Sequence, residues 1–197
     1  MDFTRVTRFQ QSVPGGWDAY PDYQQKASIY REFLARVDLA PHAAALPPPL
    51  RRLVEEPVPV SSWIPEAHSC GLFLAMADVL GSDAAFVTHS YESNRALLSG
   101  PAYGFLFKLL GARTVLKGAR TRWGQLHRGI TMDVTWGDTR NEASLIMHFP
   151  EHLLPPLLLR SYATAFRAAL EVAGASAVEV RVGDAAATSA QFHAAWK

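Results

Sequence analysis

His68 is the residue whose surroundings most suggest chemistry. Read as a helix from Ser62, the segment WIPEAHSCGLFLAMADVLG puts Ile64, His68, Leu72, Met76 and Val79 on one face, so an imidazole sits in an apolar stripe. Such a side chain either takes a nearby carbonyl or hydroxyl as its partner or reaches a ligand held in a pocket, and the protein partner is expected. Cys70 lies two residues on and points away from His68, so the two make no metal pair, and the thiol reads as a small core hydrophobe. His148 and His152 have the spacing of two ligands on a helix, but Pro150 and the strand-like ASLIMHF break that face and no metal site is expected. Trp63, Trp123 and Trp136 fall near the junction of the helical segments with the strands. Together with His68, Leu72 and Met76 they are the candidate lining of an apolar pocket. Arg113, Lys117 and Arg120 form a row on one side of a helix expected from Arg113 to Gly129, open to an anionic partner, a lipid headgroup or solvent.

Other chemistries find no support. The sequence has no Gly-x-Ser-x-Gly elbow, Walker loop or Gly-x-Gly-x-x-Gly, so catalysis is not expected. Lys and Arg total 19 against 18 Asp and Glu, a net charge of +1, which lacks the basic surplus a nucleic-acid binder needs. A single cysteine excludes an intrachain disulfide and a Cys-rich zinc site. With 197 residues, 49% of them hydrophobic, the chain can bury a full core. No apolar run approaches the ~18 residues of a membrane span, and the first residues do not resemble a signal peptide, so a cytoplasmic location is expected.

The elements that would position these residues follow from periodicity and punctuation. Residues 1–21 are Gly/Pro-punctuated, an expected strand or irregular arm. From Asp22 as N-cap, Tyr23, Ala27, Tyr30, Leu34 and Val37 recur at helical spacing, ending near Leu39. The proline-dense stretch that follows allows one short helix over Leu50, Leu53 and Val54. The helix from Ser62 admits Pro65 in its first turn and ends at Gly81. Ser82 caps the next, to about Leu98; Pro101 opens another, ending at Gly111; the one from Arg113 closes at Gly129. Beyond Gly129 the period becomes two, with Ile130, Met132, Val134 and Trp136 in one strand and Ala143, Leu145, Met147 and Phe149 in the next, a hairpin. Pro155 and Pro156 start a helix striped with Leu158, Tyr162, Ala165, Ala169 and Val172, and AVEVRV and TSAQFHAAW are two further strands. The expected fold is one α+β domain over 1–197, a helical half (22–129) followed by a ββαββ antiparallel four-stranded sheet (130–197).

That element order resembles a superfamily that unites vinyl-reductase-like domains, heme-dependent nitric-oxide sensors and the core subunits of the TRAPP vesicle-tethering complex. More locally, WIPEAH (Trp63 to His68) and the run Arg122, Trp123, Gly124 resemble recurrent features of a bacterial, myxobacterial-type paralogue family of unknown function. The resemblance implies a fold that holds apolar ligands or pairs with partner subunits. Tyr91, Ser93 and Arg95 match the letters of the sensors' Tyr-x-Ser-x-Arg heme-propionate motif. In the sensors that motif belongs to the sheet half, whereas here it falls on an expected helix, where Ser93 points away from the other two. The C-terminal cysteines common in vinyl-reductase-like domains are absent from this sequence.

The functional expectation is a non-enzymatic regulatory protein that binds an apolar small molecule or acyl chain between helices and sheet and signals to a protein partner. One alternative is a dimerising interaction scaffold without ligand. The other is a heme-linked sensor using His68 or His127; otherwise no cofactor is expected.

Overall fold

The computed structural model describes residues 1–101 and 103–197. The chain starts with a helix, α1 (Thr4–Ser12), and a short 3₁₀ turn at Gly16–Asp18, where the sequence predicts a strand or irregular arm. Val6 and Phe9 of α1 are buried against α4 (Glu66–Leu80), and two apolar positions on one turn are too few to announce a helix by periodicity.

Two of the helices that follow start later than their apolar spacing predicts, for one reason. Asp22 caps nothing: Gln24–Lys26 is a strand, β1, and helix α2 spans Ala27–Leu34. Trp63–Pro65 likewise forms a strand, β2, so α4 begins at Glu66 and not at Ser62. The two strands pair with each other, Gln25 opposite Ile64, and this non-local pairing overrides the helical spacing on both sides. Between them lies α3 (Pro48–Glu55), the short helix in the proline-dense stretch.

Gly81 closes α4 at φ 76°, the left-handed conformation glycine adopts without penalty. The Ser82 hydroxyl accepts the Ala85 amide at 3.1 Å and starts α5 (Asp83–Ser99). Helix α6 (Gly104–Lys117) passes through a break at Gly111 (φ 65°, ψ 155°). The helix expected from Arg113 to Gly129 does not exist as one piece. Gly118 divides α6 from the five-residue α7 (Ala119–Trp123), and His127–Arg128 is a short strand, β3. Strand β3 pairs with β1, giving a small antiparallel sheet in the order β2-β1-β3.

A second antiparallel sheet holds β4 (Thr131–Trp136), β5 (Glu142–His148), β6 (Glu179–Ala186) and β7 (Ser189–Ala195) in the order β4-β5-β7-β6. Helix α8 (Pro156–Val172) lies between β5 and β6 in sequence, opened by Pro155 and Pro156. Along β5, Ala143, Leu145 and Met147 are buried and alternate with the half-buried Ser144 and Ile146, and Leu145 faces Val134 on one side and Phe192 on the other. Phe166 of α8 meets Phe192 edge-on, ring centres 5.0 Å apart, which fixes the helix to the sheet. The protein is thus α+β with two antiparallel sheets, and one continuous cluster of buried side chains runs from α1 to β7. Among the described residues no helix is long and apolar enough to cross a membrane.

The N-terminal segment is held by specific contacts. Arg5 donates to Asp78 at 2.8 Å and to Asp83 at 2.9 Å. Trp17 packs on Gly71 of α4, where an added methyl would lie 2.5 Å from the indole and 2.8 Å from Leu50. Its carbonyl takes His68 Nε2 at 3.1 Å. His68 therefore has the protein partner expected of it. Its neighbour in burial, His89, stands edge-on to Phe33 with ring centres 5.4 Å apart.

Gly71→Ala should destabilise the protein by about 1–3 kcal/mol through overpacking against Trp17 and Leu50, read as a lower urea midpoint; an unchanged midpoint would mean that α1 and the 3₁₀ turn are not docked as described. Burial pushes the imidazoles of both His68 and His89 down, with Arg36 adding to the effect on His89, while the Trp17 carbonyl and Asp18 partly offset it on His68. Both are then neutral in the fold while the unfolded chain takes up protons below about pH 6.5. Their contribution to stability is complete above that value and is lost as the pH falls from it towards the lowered native values. Urea midpoints measured between pH 7.5 and 5.5 should fall in the wild type and fall less in a His68→Gln, His89→Gln double variant; equal slopes would refute the assignment.

Candidate functional site

The small sheet assembles the most polar part of the interior. Gln25 at the middle of β1 stands opposite His127 of β3, and residues directly opposite across an antiparallel pair share a face. Strand β2 ends at Pro65, and the Glu66 amide donates to the Tyr23 carbonyl at 2.8 Å, so the carboxylate enters where the sheet meets the first turn of α4. A helix N-terminus favours negative charge, which is the first compensation for Glu66, whose exposure is 0%. The rest comes from side chains. Glu66 Oε1 accepts Gln25 Nε2–H at 3.0 Å and the Tyr162 hydroxyl at 2.9 Å. Glu66 Oε2 lies 3.2 Å from His127 Nδ1. Ser69 donates to Gln25 Oε1, fixing the amide so that its NH₂ faces the carboxylate.

With Nδ1 of His127 directed at Glu66 Oε2, Nε2 is the ring nitrogen that makes no hydrogen bond to the described residues. Trp123 stacks on the imidazole with centres 4.0 Å apart and planes 10° apart, and Tyr162 meets it edge-on at 5.7 Å. The indole is anchored in turn by Nε1–H donation to the Ile130 carbonyl at 2.9 Å. Burial and the charge of Glu66 raise the Tyr162 phenol well above its usual range, which keeps it a donor. The same causes raise the buried Cys70 thiol, which leaves it unreactive.

An apolar cavity of about 120 Å³ adjoins this cluster, walled by α2, α4 to α8 and the larger sheet. Its polar lining is sparse: Gln25, Asn94, Arg122, His127, Ser161 and Tyr162. Of the pocket candidates drawn from sequence, Trp123 lines this cavity. Leu72 and Met76 are fully buried elsewhere in the core. Trp63, displaced onto β2, lies between Lys26 Nζ at 4.2 Å and the Arg128 guanidinium at 4.0 Å. Trp136 carries the Arg113 guanidinium at 4.4 Å. His68 faces Trp17 and does not line the cavity.

The expected row of Arg113, Lys117 and Arg120 is broken because Gly118 separates α6 from α7. Arg113 donates to the Arg140 carbonyl at 2.9 Å, while Lys117 and Arg120 are exposed on different helices. Tyr91 of the Tyr-x-Ser-x-Arg letters donates to Glu171 and so ties α5 to α8. His148 lies 4.0 Å from Asp133 and His152 lies 3.4 Å from Glu151, and among the described residues no group of three His, Cys, Asp or Glu is placed to hold a metal. Sequence reasoning passed over Gln25, Glu66, Ser69 and Arg122 as functional residues. The available signal was Glu66 itself, a carboxylate leading an otherwise apolar helix.

No protein-family model and no curated protein matches the chain. Several solved structures do, and those compared are H-NOX proteins. The unliganded Fe(II) H-NOX protein from K. algicida superposes with a TM-score of 0.56 at 12% identity, over 87% of this chain and 96% of that one. An oxygen-binding H-NOX domain related to soluble guanylate cyclases, in its oxygen complex, gives 0.59 at 8% identity over 86% and 92%. A structure probing heme distortion in the H-NOX family gives 0.59 at 7% identity over 87% and 95%. At these identities the likeness is one of fold: the chain adopts an α+β fold similar to that of H-NOX domains.

Proposed function

We propose that this chain is a small-molecule sensor domain whose ligand site is the cavity beside His127. The observation that carries the proposal is the buried Glu66–His127 pair set in the wall of an otherwise apolar space. The chain's part is to bind and to pass occupancy on to a protein partner, without catalysis.

The fold neighbours, which include heme proteins, move the weight from an acyl chain to the heme-linked alternative. The imidazole for it is His127 and not His68, because His127 alone of the two lines the cavity. The donor set fits iron. Histidines that ligate metals usually donate their other ring N–H to a carboxylate or carbonyl, and Glu66 accepts Nδ1–H here. Glu66 thereby fixes the tautomer, and Gln25 and Tyr162 fix Glu66. Trp123 holds the ring plane. Heme iron at Nε2 would supply a coordination position for a diatomic gas.

Space sets a condition on this reading. Pockets for drug-sized ligands run to about 300–1,000 Å³, and an engineered cavity of about 150 Å³ takes benzene. At about 120 Å³ the cavity admits a single-ring apolar molecule as it stands, while a porphyrin requires more space than its walls leave. That volume supports a second reading, a sensor of a small apolar molecule without heme.

Hemin titration followed by Soret absorbance separates the two. The heme-linked reading expects a band in the wild type and in His68→Ala, and its loss in His127→Ala with the circular dichroism unchanged. Absence of the band in the wild type would leave the small apolar molecule as the ligand.

A further inference from the structure

Among the described residues lining the cavity, Arg122 is the one Lys or Arg. It is half-buried, and no carboxylate of the described residues lies within 4.0 Å of it. One arm of its guanidinium is committed: Nη1 donates to the carbonyls of Thr114 at 3.2 Å and Val115 at 3.0 Å, in the last turn of α6. Those carbonyls carry the negative end of the helix dipole and hold the side chain in place without neutralising its charge. Gly118 makes the position possible. A methyl there would fall 1.9 Å from Nη1 and 2.8 Å from Cζ, so the guanidinium lies against bare backbone. The result is a fixed cation at an apolar space, with the rest of its planar fork uncommitted to any carboxylate of the chain. A guanidinium matches a carboxylate in geometry as well as charge, and a charge-assisted pair at a partly desolvated site is stronger than a neutral hydrogen bond.

We infer that the cavity's ligand carries a carboxylate, which Arg122 receives while the ligand's apolar body lies against Trp123 and Phe166. The inference rests on the cavity being the ligand site. The same chemistry suits a porphyrin with propionate arms and a small aromatic acid, and the difference in size tells them apart.

The test is calorimetric titration of the full chain with two acid–ester pairs, hemin against its dimethyl ester and phenylacetate against methyl phenylacetate. Esterification removes the charge and leaves the apolar body. The expected result is an acid that binds at least about tenfold tighter than its ester in one pair, and the pair that shows it identifies the ligand's size class. In Arg122→Gln the preference should disappear while the ester's affinity stays within about twofold of wild type. Equal affinity for acid and ester in the wild type would overturn the role of Arg122 and leave the cavity reading standing. A preference that persists in Arg122→Gln would overturn it equally. No binding of any of the four compounds would remove the cavity reading and this inference with it. Should Arg122→Gln fail to fold, the wild-type pairs decide alone.

Discussion

The arrangement depends on one buried charge. A carboxylate taken out of water without partners is prohibitively unfavourable, and removing a single partner from a buried pair costs about 3–5 kcal/mol. Glu66 is fully buried, so the chain has to deliver donors to it from distant places: Gln25 from β1, His127 from β3 and Tyr162 from α8. This requirement accounts for a three-stranded sheet whose strands are two or three residues long. Such strands have little apolar surface to bury and few hydrogen bonds to make. What they do is set Gln25 and His127 side by side at the start of α4.

The same constraint shapes the cavity. His127 and Tyr162 are oriented by their bonds to Glu66 and cannot turn to fill the adjoining space, and Trp123 is pinned by its stack on His127 and its bond to Ile130. Side chains held in a hydrogen-bonded network have no freedom to collapse into the gap beside them. The cavity therefore sits next to a polar group held by several hydrogen bonds. An imidazole with one nitrogen saturated and its orientation fixed loses little freedom on meeting a ligand, the general advantage of a preorganised site.

Much of the larger sheet was legible because its signals are local. Ala143, Leu145 and Met147 alternate within a few residues, Pro155–Pro156 starts α8 and Gly174 follows its end. The Ser82 cap and Gly81 are local in the same way. The site was not legible, for the same physical reason in reverse. A strand of two or three residues carries no measurable period, and Gln25, Glu66 and His127 meet across separations of 41 and 61 residues. The helical spacing of Tyr23, Ala27, Tyr30 and Leu34 is genuine, but its first turn is taken by β1 because pairing with β2 and β3 supplies the partners Glu66 needs. Trp63 was misplaced by the same mechanism: drawn onto β2, it sits between Lys26 and Arg128 instead of facing the core.

Likeness of fold and likeness of site are separate questions, and three letters in α5 make the point. Tyr91, Ser93 and Arg95 spell a heme-propionate motif, yet Tyr91 spends its hydroxyl on Glu171, Ser93 is buried, and the residues lining the cavity nearby are Asn94, Leu97 and Leu98. The helix uses Tyr91 to dock α8. The groups able to meet a ligand, His127 and Arg122, come from the segment between α6 and β4, where Gly118 and Gly124 interrupt the helical pattern. Gly118 ends α6, lets the Arg122 guanidinium lie against its backbone and starts the turn of helix that carries Trp123. Read along the chain, those glycines weaken a helix; in the folded protein, Gly118 is what turns that segment into one wall of the cavity. A fold shared at about a tenth of identical residues therefore leaves the chemistry of a site to be argued from the positions of this chain.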